Sequence, residues 1–244
     1  MGITPALSVD NLSYAYPQGG AALREITFSM APGERVALLG ANGAGKSTLL
    51  WCLVGVLACT GTISVGGVEL GRNTMAEVRR RLGLGFSEPD DQLFTLTVER
   101  DITFGLLAAG TAPEEARQRA REAARLVGLP EVLFSRAPHE LSSGERRRAA
   151  LAAVLVSHPG ALALDEPTNS LDAPGRAALA DTLAGLDCAQ LIATHDLEFV
   201  SQLCGRALVL VGGELVADVP LVDLLADEER LAEYRLAARR GAVR

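Results

Sequence analysis

The stretch Gly40-Ala41-Asn42-Gly43-Ala44-Gly45-Lys46-Ser47-Thr48 governs how the rest of the chain is read. It follows an apolar burst over residues 35–39 and runs into a helical pattern over residues 46–57. Strand, glycine loop and helix in that order bring a strand end and a helix N-terminus to one point, which is how a backbone holds an anion. Gly40, Gly43 and Gly45 let successive N–H groups curl around phosphates, Lys46 reaches the outer phosphate oxygens, and the Ser47 hydroxyl suits Mg²⁺. Asn42, Ala44 and Thr48 complete the predicted nucleotide contacts. Lys46 is also the only lysine among the 23 lysine and arginine residues. Arginine serves everywhere else, so this position requires a compact ammonium that can sit between two phosphates rather than a planar fork.

A chain of 244 residues holds one sizeable core, or one core with a lobe. Hydrophobic residues make up 48% and charged residues 22%, which is globular and not disordered. A net charge of -7 argues against a general nucleic-acid binder, so no nucleic-acid partner is expected. Cys52, Cys59, Cys188 and Cys204 form neither a CxxC pair nor a zinc spacing, as expected of reduced thiols in an intracellular protein. No basic segment, apolar stretch and small-residue cleavage site open the chain, so no secretory signal is expected. Residues 47–68 carry no charge and match a membrane span in length. Gly55, Gly61, Gly66 and Gly67, with Thr60, Thr62 and Ser64, break that run into a short buried helix and a strand pair.

Strands are predicted over residues 6–14 and 26–30, around a turn at Pro17, Gly19 and Gly20. Residues 97–157 turn helical, with a capping-box-like pair at Thr111 and Glu114, Pro113 near a helix start, and Gly128 with Pro130 as a stop. Short buried strands at 161–164, 191–194 and 207–211, separated by helices, predict a mostly parallel sheet with crossovers. Helical spacing over 221–240, with charges between the leucines, predicts a terminal amphipathic helix.

The run Ala161-Leu162-Ala163-Leu164-Asp165-Glu166 reads as an acidic strand end. Downstream of a phosphate loop, Asp165 would hold Mg²⁺ through a water and Glu166 would polarise the attacking water. Leu141-Ser142-Ser143-Gly144-Glu145 then opens a helix bearing Arg146, Arg147 and Arg148. Taken alone, Ser142 reads as an ordinary N-cap; its helix amides could equally receive a γ-phosphate.

That stretch resembles the signature motif of ATP-binding cassette ATPases, usually written LSGGQ, at the family's distance before the acidic strand. The resemblance continues in order over nearly the whole chain. It implies that Tyr16 stacks on adenine and that Asn169-Ser170-Leu171-Asp172 is the loop crossing to a second subunit. In Thr194-His195-Asp196, it implies that His195 contacts the γ-phosphate. Lys46, Glu166 and His195 become the expected catalytic residues, with ATP and Mg²⁺ as cofactors. The nucleotide would be shared between Lys46 and Ser47 of one subunit and Ser142, Ser143, Gly144 and Asp172 of another. One departure stands out: where the family has a loop glutamine, this chain has Ser87, whose shorter side chain could reach the metal only through water, predicting slower or more tightly gated turnover.

The implied fold is α/β. It has a phosphate-loop NTPase core with a mostly parallel sheet, an antiparallel β-subdomain and an inserted α-helical subdomain. The expected single domain spans 1–244, divided into a core with β-subdomain (1–94 and 159–244), a helical signature lobe (95–158) and a C-terminal helix (220–244).

Ser87-Glu88-Pro89-Asp90-Asp91-Gln92-Leu93-Phe94, followed by Thr97-Val98-Glu99, resembles the corresponding stretch of cobalt/nickel and energy-coupling-factor importer ATPases. In those proteins it faces the transmembrane coupling protein, and Glu88, Asp90 and Asp91 would suit basic coupling helices. The resemblance implies a homo- or heterodimer of ATPase subunits, joined to integral membrane coupling and substrate-binding proteins at the cytoplasmic face of the cell membrane. Cobalt or nickel is the expected cargo, because the chain is compact and has no long C-terminal extension; a vitamin such as biotin is the alternative. A cassette ATPase of DNA repair or translation is disfavoured by the acidic balance and single cassette, and a small-molecule kinase by the signature motif and His195.

Overall fold

Val36 and Leu38 are buried in one apolar cluster and Ala37 and Leu39 in another, so the strand that precedes the glycine loop is covered on both faces. Period-two alternation with both faces apolar is what a central parallel strand needs. The computed structural model describes residues 3–236. In chain order its strands are β1 (Leu7–Ala15), β2 (Ala21–Met30), β3 (Arg35–Leu39), β4 (Thr60–Val65), β5 (Val68–Glu69), β6 (Leu82–Gly85), β7 (Ala161–Asp165), β8 (Ala189–Ala193), β9 (Arg206–Val211) and β10 (Glu214–Pro220). Its helices are α1 (Lys46–Leu53), α2 (Met75–Arg81), α3 (Val98–Ala108), α4 (Pro113–Leu126), α5 (Ser143–Leu155), α6 (Ala173–Ala184), α7 (Leu197–Ser201), α8 (Leu221–Ala226) and α9 (Glu228–Glu233).

Six strands form one sheet in the order β10-β9-β3-β8-β7-β6, and four form another in the order β2-β1-β4-β5. The larger sheet is parallel from β9 to β6 with β10 antiparallel at its edge, while the smaller is antiparallel throughout. The fold is therefore mixed α/β, as the sequence predicts. One face of the larger sheet packs on α1 and the small sheet through Leu49, Leu50, Val9 and Ile26. The other packs on the helices of the middle of the chain through Ile102, Ala120 and Leu155.

Several boundaries differ from expectation for local reasons. α1 stops at Leu53 rather than near Leu57 because Gly55 takes φ 65. Its N–H bonds Cys52 O at 3.0 Å and the Val56 N–H bonds Trp51 O at 2.9 Å, the paired bonds of a glycine-closed helix end. β2 begins five residues early because Glu25, at φ 47, makes a bulge that pairing survives. The Thr111–Glu114 box does not form: Ala112 caps α4 with no side-chain bond, and Pro113 alone marks the start. The single C-terminal helix expected over 220–244 is instead α8 and α9, because Asp227 leaves helical geometry and caps α9 by accepting from Arg230 N at 3.0 Å. The rest of that expected helix, residues 237–244, lies outside the described residues. No helix among the described residues is long and apolar enough to cross a membrane.

Candidate active site

Because β3, β8, β7 and β6 run parallel in close register, with Leu38 opposite Ala193, Ile192 opposite Leu164 and Gly85 opposite Leu164, their C-terminal ends fall on one edge of the sheet. That edge is where ligands bind in open α/β sheets. It gathers the glycine loop, Asp165 with Glu166, Thr194 with His195, and the segment leading to Ser87.

Gly45 caps α1 at φ 108, and a Cβ there would meet Ala22 O at 2.9 Å, so the loop closes on the helix only with glycine. Lys46 begins the helix and is 6% exposed. Its ammonium donates to Gly40 O at 2.8 Å and lies 3.5 Å from Glu166 Oε1. A buried ammonium held between a carbonyl and a carboxylate is a ready anchor for anionic oxygens.

Glu166 has φ 43, a backbone conformation that non-glycine residues seldom adopt, and its N–H bonds Ala193 O at 2.7 Å across the sheet end. Its carboxylate is gripped from three sides. Besides Lys46, Thr194 Oγ1 donates to Oε2 at 3.0 Å and His195 Nδ1 lies 2.9 Å from the same oxygen. Thr194 also accepts from the Asp196 N–H at 3.1 Å, which fixes its hydroxyl proton toward Glu166.

Asp165 is 5% exposed and its Oδ1 is buried with no hydrogen-bond partner. Burial pushes its carboxyl above the ordinary value, with the Ser47 hydroxyl bond and the Lys46 charge opposing that rise. An unsatisfied carboxylate oxygen beside a serine hydroxyl is a hard-oxygen donor pair. No cluster of three His, Cys, Asp or Glu side chains among the described residues is disposed to hold a metal by itself. Any such ion would complete its shell with phosphate oxygens and water.

An open cleft of about 690 Å³ is lined by Asn42, Gly43, Gly45, Lys46, Ser47 and Thr48, by Asp165 and Glu166, and by Tyr16 and Ser87. Gly40 and Ala44 lie beneath it and act through backbone bonds, Gly40 to Lys46 and Ala44 O to the Gly213 N–H. Tyr16 stands at its rim, 39% exposed, sharing a 3.0 Å hydrogen bond with Thr48 Oγ1 and meeting Tyr14 edge-on with centroids 4.9 Å apart.

Ser142, Ser143, Gly144 and Asp172 line a separate cavity of about 360 Å³ between α5 and α6. Ser142 caps α5 in a full capping box with Glu145, and Asp172 caps α6 by accepting from Gly175 N at 2.9 Å. The structure thus brings the predicted residues together in two groups.

Sequence reasoning overlooked Trp51 and gave no cleft role to Glu88 or Asn169, all three of which line the cleft. Trp51 follows Ser47 by four residues on one helix, so its facing was readable from spacing. Thr194 and the buried Arg147 had no such signal.

A family model described as ABC transporter matches residues 23–169. A putative ABC transporter ATP-binding protein of Streptomyces coelicolor is 47% identical over 232 residues, which cover 95% of this chain and 89% of that protein. The cobalt import ATP-binding protein CbiO of Rhodobacter capsulatus is 39% identical over 237 residues, covering 95% of this chain and 84% of that protein. Among solved structures, cbiO1 of Clostridium perfringens, part of the ABC transporter complex cbiONQ, matches with a TM-score of 0.81 and 33% identity over 97% of each chain. The glycine loop, the acidic strand end and these likenesses agree, and the chain belongs to the ABC transporter family as an ATP-binding, ATP-hydrolysing subunit.

Proposed function

We propose that this chain powers the import of cobalt or nickel ions as a dimer of ATPase subunits, bound peripherally at the cytoplasmic face of the membrane to integral coupling and substrate-binding proteins. The carrying observation is the division of the site. Lys46, Ser47, Asp165 and Glu166 line one cleft, while Ser142, Ser143 and Gly144 line another cavity of the same chain. A helix N-terminus suited to a terminal phosphate serves a nucleotide in the first cleft only when a second copy presents it. The cargo reading is supported by the likeness to a cobalt import ATPase and to cbiO1. The domain reading is one cassette, with residues 95–158 as its helical lobe.

Mg²⁺ at Ser47 and Asp165 would offset the charge that develops on the transferring phosphoryl oxygens. Lys46 binds the β- and γ-phosphates. Glu166 accepts the proton of the attacking water, with its carboxylate aimed by Thr194 and His195. Tyr16 supplies a face for adenine, Asn42, Gly43, Gly45 and Thr48 line the phosphates, and Asp172 approaches from the partner copy. Loss of the γ-phosphate that bridges two copies reopens the dimer and moves the membrane partner.

The test is Glu166→Gln with ATP and Mg²⁺ on a sizing column. The expected result is an accumulated ATP-bound dimer; persistent monomer with intact nucleotide binding overturns the shared-site reading. Cobalt and nickel uptake by cells carrying this chain with its membrane partners tests the cargo, and uptake unaffected by Lys46→Ala refutes it.

A further inference from the structure

Arg147 is 8% exposed, and among the described residues it forms no ion pair with a carboxylate. A guanidinium buried without a counter-ion is disfavoured unless it holds something in place. Its hydrogen-bond partner is a backbone carbonyl: Nη2 donates to Asn169 O at 2.8 Å. Asn169 closes the turn that begins at Glu166, since its N–H bonds Glu166 O at 3.1 Å, and this turn lies between two left-handed residues, Glu166 at φ 43 and Ser170 at φ 63. Backbone in that conformation persists only when its surroundings over-determine it.

The same face of α5 is tied to the segment 86–94, since Arg147 and Ala150 lie one turn apart and share a small cavity with Phe86 and Gln92. Gln92 Nε2 donates to Ala150 O at 2.6 Å while its Oε1 faces the Phe86 N–H at 3.5 Å, and Arg146 lies 3.7 Å from Asp90. Residues 146, 147 and 150 of one helix therefore join the segment carrying Ser87 to the turn carrying Glu166. Burial lowers the Arg147 pKa and the nearby Glu88 charge opposes that shift, so this guanidinium is desolvated yet feels the same segment.

We propose that Arg147 is a positioning residue for ATP hydrolysis, pinning the turn of Glu166 and Asn169 to helix α5 so that the placement of segment 86–94 is passed to the reacting carboxylate. It touches neither the phosphates nor the attacking water; it acts through Asn169. The inference rests on the ATPase assignment for its kinetic arm only.

The full chain is compared as parent, Arg147→Met and Arg147→Lys. The methionine keeps the apolar stem and removes the donors, while the lysine retains a cation and one donor to Asn169 O. Arg147→Met is expected to lower kcat by roughly tenfold or more with KM for ATP within about twofold, and Arg147→Lys to recover most of the loss. Amide exchange read by mass spectrometry supplies the arm that needs no turnover. Peptides covering 166–171 should exchange roughly tenfold faster in Arg147→Met, while those covering the loop 40–48 keep the parental rate. Unchanged exchange at 166–171, or kcat within twofold of the parent, overturns the proposal. So does a uniform rise in exchange with kcat, KM and melting temperature falling together in both variants, which is what a purely structural arginine would give.

Discussion

The hydroxyl of Thr194 lies 3.0 Å from Glu166 Oε2, and Thr194 is wholly buried. These two residues directly follow neighbouring strands, so the contact is set by sheet order and not by local sequence. A hydrogen bond to a charged group contributes roughly 1.5–3 kcal/mol. Thr194→Val keeps the shape and removes the donor, so kcat should fall by roughly ten- to a hundredfold with KM little changed. Thr194→Ser restores the hydroxyl and most of the rate. Steady-state hydrolysis decides the matter; a rise in KM at constant kcat would place Thr194 in ground-state binding instead.

Ser87 lines the same cleft as Ser47, Asp165 and Glu166. If a metal binds at Ser47 and Asp165, a serine at this position, about three bonds shorter than a glutamine, would reach it or an attacking water only through an intervening water molecule. Ser87→Gln restores that reach, and kcat should rise several-fold with a sharper dependence on Mg²⁺ concentration. A variant whose rate and Mg²⁺ dependence both match the parent would show that the position carries no part of the gating.

How far these features could be read in advance depends on how local they are. The glycine loop, the capping serine at 142 and the acidic pair 165–166 are each written within a few adjacent residues, and the structure places them at a helix start or a strand end as expected. Gly55 was equally readable as a helix stop, but the apolar run through Leu57 masks it. The contacts that aim the site are different. Arg147 meets Asn169 across 22 positions and Thr194 meets Glu166 across 28, and only the packing of α5 and the order β8-β7 bring them together. Serine at 87 is legible as a departure, whereas Glu88 beside it reads from sequence only as part of a docking surface although it also lines the cleft.

The Cys52 and Cys59 thiols are close neighbours, and all four cysteines are free. The neighbouring Cys52 thiol brings the half-buried Cys59 thiol down to about 7, while burial pushes Cys204 up to about 12 and Cys188 upward. The thiolate is the nucleophile, so at neutral pH Cys59 should be alkylated first. Its rate should climb through pH 7 and level above it, as read by iodoacetamide labelling and peptide mapping. Labelling that starts at Cys204, or a rate at Cys59 still rising steeply above pH 9, would contradict this ordering of the thiols.

The Ser142 N–H and hydroxyl both donate to Glu145 Oε2, at 2.8 and 2.7 Å, and the Glu145 N–H returns a bond to Ser142 Oγ at 3.3 Å. The Ser142 hydroxyl, followed by its N–H, holds the Glu145 carboxyl below its ordinary 4.5. A depressed carboxyl stabilises the fold above its unfolded pKa, and that contribution is lost as pH falls through the folded value. Glu145→Gln keeps the reach of the side chain without its charge, so it should melt slightly below the parent at pH 7, with the gap closing as pH drops beneath 4.5. Ser142→Ala removes the cap itself, about 1 kcal/mol, or roughly 2–4 °C in a chain of this size. In the proposed shared-site dimer the same carboxylate would stand beside the hydroxyl meant for the partner's terminal phosphate, placing two anions on one donor. Glu145→Gln removes the repulsion and leaves only a neutral, weaker acceptor beside that hydroxyl, so its ATP-dependent dimer should form at lower ATP concentration than the parent's. Titration of the dimer on a sizing column reads this directly, and a requirement for more ATP would mean that the carboxylate orients Ser142 instead of competing for it.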